Sequence, residues 1–246
     1  MNKNNNDQNT ITGHLTELRS RLIKSLIFIF VIFIFGYVFA EYIYSFLLEP
    51  YAKAVRNDGI ERRLIFTALH ETFITYLKLA FFVALLLGSP IFLTQLWKFI
   101  APGLYKNEKK ALLPYLIATP ILFLLGGMLV YYLVMPLAIK FFLTFETTGQ
   151  INNLPIQLEA KVNEYLSLIM RLIFAFGLSF QLPVLLNLLA RVGAIDSKYL
   201  KERRRYFIVI IFAAAAILTP PDPITQIGLA IPLLILYELS ILSVKL

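Results

Sequence analysis

Apolar residues in this chain gather into long runs rather than alternating with polar ones, and polar residues crowd into the short stretches between runs. A helix needs about 20 apolar residues to cross a hydrocarbon layer. The runs that meet or approach this length are 22–40, 73–97, 112–138, 165–190, 206–218 and 224–242. The pattern predicts an all-α integral membrane protein: one polytopic domain, 1–246, with six transmembrane helices. The last two spans are short. "YFIVIIFAAAAIL" reaches only about 20 Å at 1.5 Å per residue. It pairs with the final span around "TPPDP", as a thin-membrane hairpin or a re-entrant one. Residues 1–13 are polar and read as disordered. In 14–21, Leu15 and Leu18 share a face with Leu22, which predicts an amphipathic lead-in on the membrane surface. Pro90, Pro114, Pro120, Pro136, Pro183 and Pro232 fall inside spans and predict kinked helices that form a curved scaffold.

Composition agrees with the pattern. Charged residues make up 15% of the chain against about a quarter in soluble domains, and mean hydropathy is +0.73. The net charge of +8 would suit nucleic acid, but no water-soluble basic face exists to hold it, and no nucleic-acid partner is expected. The cations instead decide orientation. With the N-terminus inside, the inner segments hold Arg19, Arg21, Lys24, Lys98, Lys106, Lys109, Lys110 and the run from Lys198 to Arg205. The outer segments hold only Lys53, Arg56, Arg62, Arg63, Lys140 and Lys161. The positive-inside rule therefore puts both termini in the cytoplasm. The polar N-terminus lacks a signal-peptide core, so the first span is expected to stay as an anchor. With no cysteine and two histidines, neither a metal centre nor any other cofactor is expected.

Four polar positions need a reason. Glu17 lies in the lead-in four residues before Arg21, a spacing that suits a solvated ion pair. Glu108 is an acid within a basic inner loop. Taken together, the two carboxylates flank the inner membrane boundary and are suited to grip guanidinium groups by charge-assisted bonds. Gln181 lies deep in the fourth span, where an amide needs partners: a structural interhelical bond or a site for a polar partner helix. Asp222, followed by Pro223, has the pattern of a helix N-cap. No HExxH, GxSxG or GxxxxGK[ST] pattern is present and the acids are scattered, so enzymatic chemistry is not expected.

"HLTELRSRL", "SPIFLTQLWKFIAPGLYKNEKK", "FAFGLSFQLPVLL" and "LTPPDPITQIGLAIPLLILYE", in this order over nearly the whole chain, resemble the TatC family, the multispanning core of the twin-arginine protein translocase. "KVNEYLSLIM" with "QLPVLLNLLARVG" is most similar to alphaproteobacterial and mitochondrial members. The resemblance implies a receptor for signal peptides with two consecutive arginines, carried by folded cargo. Export would use the proton motive force and single-span partners of the TatA and TatB type. It places peptide recognition at Glu17, Arg19, Phe99 and Glu108, with Pro50 as a further family position in the first outer loop. The family often has Glu where this chain has Gln181, so a titrating role there is not implied. Asp222 matches an outer-face acid, and the two short last spans resemble the region where the single-span partners dock. The implied location is a bacterial inner membrane, or a mitochondrial one if organelle-encoded, with homo-oligomers in the complex. The alternative is a secondary transporter with a polar path through Gln181 and Asp222.

Overall fold

The computed structural model describes residues 4–55, 62–100, 109–148, 155–191 and 193–245. Its helices are α1 (Asn4–Val38), α2 (Ala40–Val55), α3 (Glu71–Ile100), α4 (Lys109–Leu129), α5 (Met135–Leu143), α6 (Val162–Ser179), α7 (Leu182–Arg191), α8 (Ser197–Glu202), α9 (Arg204–Leu218) and α10 (Pro223–Lys245). Two-residue strands β1 (Thr147–Thr148) and β2 (Pro155–Ile156) pair antiparallel between α5 and α6. Among the described residues, five stretches are long and apolar enough to cross a membrane: Arg19–Val38, Glu71–Gln95, Ile117–Leu143, Val162–Arg191 and Pro223–Val244. Helix α9 has 15 residues, about 22 Å, short of a hydrocarbon core of about 30 Å.

Three local features differ from the sequence expectation. Helix α1 begins at Asn4 and runs unbroken through the polar lead and the amphipathic lead-in. No proline interrupts that stretch, and a helix already fixed by its apolar half extends at little cost. The fourth span is two helices, α6 and α7, which meet at Phe180 and Gln181 just before Pro183. The third span carries a π turn over Val130–Val134, in which Met135 N–H donates to the Val130 carbonyl. Pro136 follows at once, and its ring would collide with the carbonyl one turn back; the widened turn makes room for it.

The chain divides into two compact units, Met1–Ala40 with Leu77–Pro120, and Glu41–Tyr76 with Ile121–Leu246. In the first, α1 and the later part of α3 run antiparallel at close range. Built onto Gly88, a Cβ would lie 2.4 Å from Ile29 Cγ1, and one on Gly36 would lie 3.2 Å from the Ala80 carbonyl oxygen. The other faces of α1 present Leu26, Phe30, Phe35 and Val38 outward, an apolar surface suited to lipid.

The second unit has its core around Phe123, Phe176, Leu166, Ile169 and Leu172, all inaccessible to solvent. Gly126 brings the α4 backbone against α6, where an added Cβ would meet Phe176 O at 2.7 Å. Helix α10 packs along α7 and α9. The Tyr237 ring stacks on Phe207 at 4.7 Å, and its hydroxyl donates to Leu200 O at 2.7 Å.

This geometry separates two neighbouring glycines. Gly126→Ala forces a methyl into backbone that cannot swing aside and is expected to destabilise by about 2 kcal/mol. Gly127→Ala meets only Ile173 Cγ2, at 3.2 Å, and is expected to stay within about 0.5 kcal/mol of the parent. Thermal unfolding of the two detergent-solubilised variants, side by side, checks the difference.

Candidate functional site

In the first unit the Arg21 guanidinium donates to Gln95 Oε1 at 3.0 Å. Ser25, 2% exposed, donates its hydroxyl to the Arg21 carbonyl at 3.0 Å. This ties "HLTELRSRL" on α1 to "SPIFLTQLWKF" on α3. The contacts Gly36 with Ala80, Ile29 with Gly88 and Arg21 with Gln95 step back along α1 and forward along α3 by two helical turns at a time. The same register, continued one turn, sets position 17 of α1 alongside position 99 of α3. Arg19 is exposed. The side chains of Glu17 and Phe99 lie outside the described residues, as does Glu108 altogether. Sequence reasoning missed the Arg21–Gln95 bond, because Arg21 had local uses as a membrane anchor and as an i,i+4 partner.

Pro50 is buried inside α2. Having no N–H, it leaves the Phe46 carbonyl without its helical donor. The Tyr131 hydroxyl takes that role at 2.8 Å, and the Tyr165 hydroxyl donates to the next carbonyl, Leu47 O, at 3.0 Å. Phe46 and Tyr131 stack with centroids 4.5 Å apart. Tyr131 also reaches Glu49 Oε2 at 3.1 Å, and Lys53 pairs with the same carboxylate at 2.7 Å. Donation from Lys53, then from Tyr131, holds the Glu49 carboxyl below its usual range. Two tyrosines thus fasten a proline-bent α2 to the π turn and to α6.

Gln181 is buried at the α6–α7 break, with Nε2 3.5 Å from the Gly177 carbonyl. Asp222 is buried and caps α10: Oδ1 accepts from Thr225 N–H at 2.8 Å and Oδ2 from the Thr225 hydroxyl at 2.5 Å. The N-cap pattern of the sequence is realised. A polar tie not foreseen joins α7 to α10, where Ser243 donates to Asn187 Oδ1 and Asn187 Nδ2 to Pro183 O, both at 2.8 Å.

A second cluster not foreseen lies between the α2–α3 connection and the β1–β2 region. Arg62, its side chain 3% exposed, meets Glu146 at 2.6 Å from Nη2 and at 3.2 Å from Nε. Leu158 N–H donates to Glu146 Oε1 at 2.9 Å. Arg62 donation is the main force that lowers the Glu146 pKa, against burial. Nearby, Ile65 N–H donates to Ala160 O and Val162 N–H to Ile65 O, each at 3.2 Å. No group of His, Cys, Asp or Glu suited to a metal ion occurs among the described residues.

The helices, their lipid-suited surfaces and their buried polar ties define a polytopic α-helical membrane protein. Residues 13–232 match the family described as Sec-independent protein translocase protein (TatC). A Sec-independent protein translocase protein TatC of Magnetococcus marinus is 48% identical over 94% of this chain and 82% of its own. One of Rickettsia prowazekii is 47% identical over 93% and 90%. A crystal structure of the twin-arginine translocase receptor TatC, in DDM, superposes with a TM-score of 0.80 at 39% identity, covering 95% of this chain and all of that one. The chain belongs to the TatC family. It is a component of a Sec-independent protein translocase, a transport subunit and not an enzyme.

Two outcomes follow from the second unit's polar ties. Tyr131→Phe orphans a carbonyl and is expected to cost about 1–2 kcal/mol. In a Pro50→Ala background, where residue 50 can donate to Phe46 O, the same change is expected to cost clearly less; a double-mutant cycle by thermal unfolding measures the coupling. The Glu146 carboxyl titrates lower folded than unfolded, so its stabilisation is full above the ordinary carboxylate range and lost as pH falls through the lowered value. Glu146→Gln is therefore expected to flatten the fall in melting temperature between about pH 5 and pH 3.

Proposed function

We propose that this chain is the receptor and core subunit of a twin-arginine translocase, binding signal peptides at its cytoplasmic face through Glu17 and Glu108. The observation that carries this reading is the α1–α3 register, held at its end by Arg21 and Gln95. Continued one turn, that register would set backbone positions 17 and 99, two of the recognition positions the family implies, on neighbouring helical turns. A carboxylate on each side of a guanidinium pair suits bidentate, charge-assisted bonding, and the surrounding lysines keep both acids ionised. The solved relative named as twin-arginine translocase receptor supports the same role.

In this reading α9 crosses with α10 as a sixth, short span, and both termini are cytoplasmic, as the cation distribution favours. Ile208, Val209, Ile210 and Ile217 on α9 are exposed and apolar, a face suited to single-span TatA- and TatB-type partners. Copies of the chain associate within the complex, in the inner membrane. No nucleotide-binding pattern is present in the sequence, so the proton motive force drives export of the folded cargo. The solute-transporter alternative gains no support from Asp222, whose two carboxylate oxygens serve the α10 cap.

The test is photo-crosslinking of the purified chain to a signal peptide with Arg-Arg, with a Lys-Lys peptide as control. Glu17→Ala and Glu108→Ala are each expected to weaken Arg-Arg capture by about tenfold or more, the worth of a charge-assisted bond of about 1.5–3 kcal/mol. Undiminished capture by the double variant, or equal capture of the Lys-Lys peptide, would remove the clamp.

A further inference from the structure

The second unit contains a cavity of about 410 Å³ that the function above does not use. Its walls come from the end of α5, the start of α6, Tyr51 of α2 and the segment leading into α6. The spans Ile117–Leu143 and Val162–Arg191 end here, so the cavity opens at the depth where a bilayer turns from hydrocarbon to headgroup. Met135, Ala138, Ile139, Phe142 and Leu168 make its apolar wall. Its rim carries Glu159, Lys161 and Glu164. Tyr51 is 6% exposed, and its hydroxyl has no hydrogen-bond partner among the described residues. Its ring contributes to the wall, while the hydroxyl is sealed off from the cavity.

We propose that this cavity binds one phospholipid with a zwitterionic, primary-amine headgroup of the phosphatidylethanolamine kind. An acyl chain lies against Met135, Ile139 and Leu168. Glu159 and Glu164 face the ammonium, and Lys161 the phosphate. Charge complementarity selects this occupant. The rim alternates acid, base, acid, which matches a headgroup bearing both signs and disfavours a net anion. The rim's own ion pairs are loose: Lys161–Glu164 is 3.6 Å and Arg63–Glu159 3.5 Å, against about 2.7–2.9 Å for a tight charge-assisted bond. These side chains can turn to a headgroup with little loss. An ammonium with three N–H donors satisfies two carboxylates where a quaternary amine cannot.

The full chain, reconstituted in mixed vesicles of phosphatidylethanolamine and phosphatidylglycerol, is photolabelled with a phosphatidylethanolamine bearing a diazirine in one acyl chain. Adducts are mapped by mass spectrometry. Adducts on the α5 and α6 walls are expected, and Leu168→Trp and Ala160→Trp, which fill the cavity from half-buried positions, are expected to lower them at least about fivefold. Labelling of the exposed α1 face serves as the internal reference, and gel filtration verifies that each variant is folded. Matching phosphatidylcholine and phosphatidylglycerol probes are expected to label the walls less. The proposal is overturned if wall labelling persists in the folded Trp variants or the phosphatidylglycerol probe labels as well. It is equally overturned if an apolar peptide, and not added lipid, protects the walls.

Discussion

A backbone carbonyl that loses its helical donor inside hydrocarbon has no water to turn to, and must find another donor or cost several kcal/mol. This chain puts prolines in the middle of most of its long helices, so the constraint applies repeatedly. In α2, which lies outside the candidate spans, the same loss at Pro50 is met by Tyr131, whose hydroxyl reaches the Phe46 carbonyl. In α3 the carbonyl that Pro90 cannot serve, Leu86 O, accepts from Ser89 Oγ at 3.2 Å. Before Pro136 the helix widens into a π turn that re-routes the Met135 N–H to Val130. Where the repair comes from another segment, as with Tyr131, it also ties the two segments together.

Charge follows the same logic outside the hydrocarbon. Arg62 is almost wholly buried, which is tolerable only because Glu146 accepts from it at several points and is itself held by Leu158 N–H. That cluster anchors the connection into α3 against the approach to α6, beside the Ile65–Lys161 bridge. Asp222 is as deeply buried, and both of its carboxyl oxygens accept from Thr225 in the first turn of α10. Buried polar side chains here serve to hold chain segments in place.

The sequence carried those features that depend on neighbours along the chain. Spans emerge from runs of apolar residues, and the α10 cap from Asp222 ahead of Pro223 and Thr225. Prolines announce that helices bend. What it did not carry are bonds between residues far apart: Arg62 and Glu146 are separated by 84 positions, Arg21 and Gln95 by 74. Arg62 looked like one more outer cation, and Tyr131 like part of an apolar span. The division of the fourth span at Gln181 falls where Pro183 announces a kink, although hydropathy runs straight through it. Of the recognition positions that the resemblance implies, sequence alone could name Glu17 and Glu108 as acids near a membrane boundary. The register of α1 against α3 needed the contacts between them.

That register also bears on how two neighbouring membrane helices are kept in place. The turn of α1 around position 17 lies inside a helix that begins at Asn4, and the close contacts of that helix with α3 lie C-terminal to it. Its alignment is set from a distance, by Gly36 and Gly88 letting backbones or a full isoleucine approach where any Cβ would intrude. Gly36 is about 22 Å along the axis from Arg21. Close packing at mid-membrane determines how the helices slide past one another, and the Arg21–Gln95 bond converts that sliding register into a fixed end. Gly36 and Gly88 therefore set the register in which α1 and α3 of the first unit run.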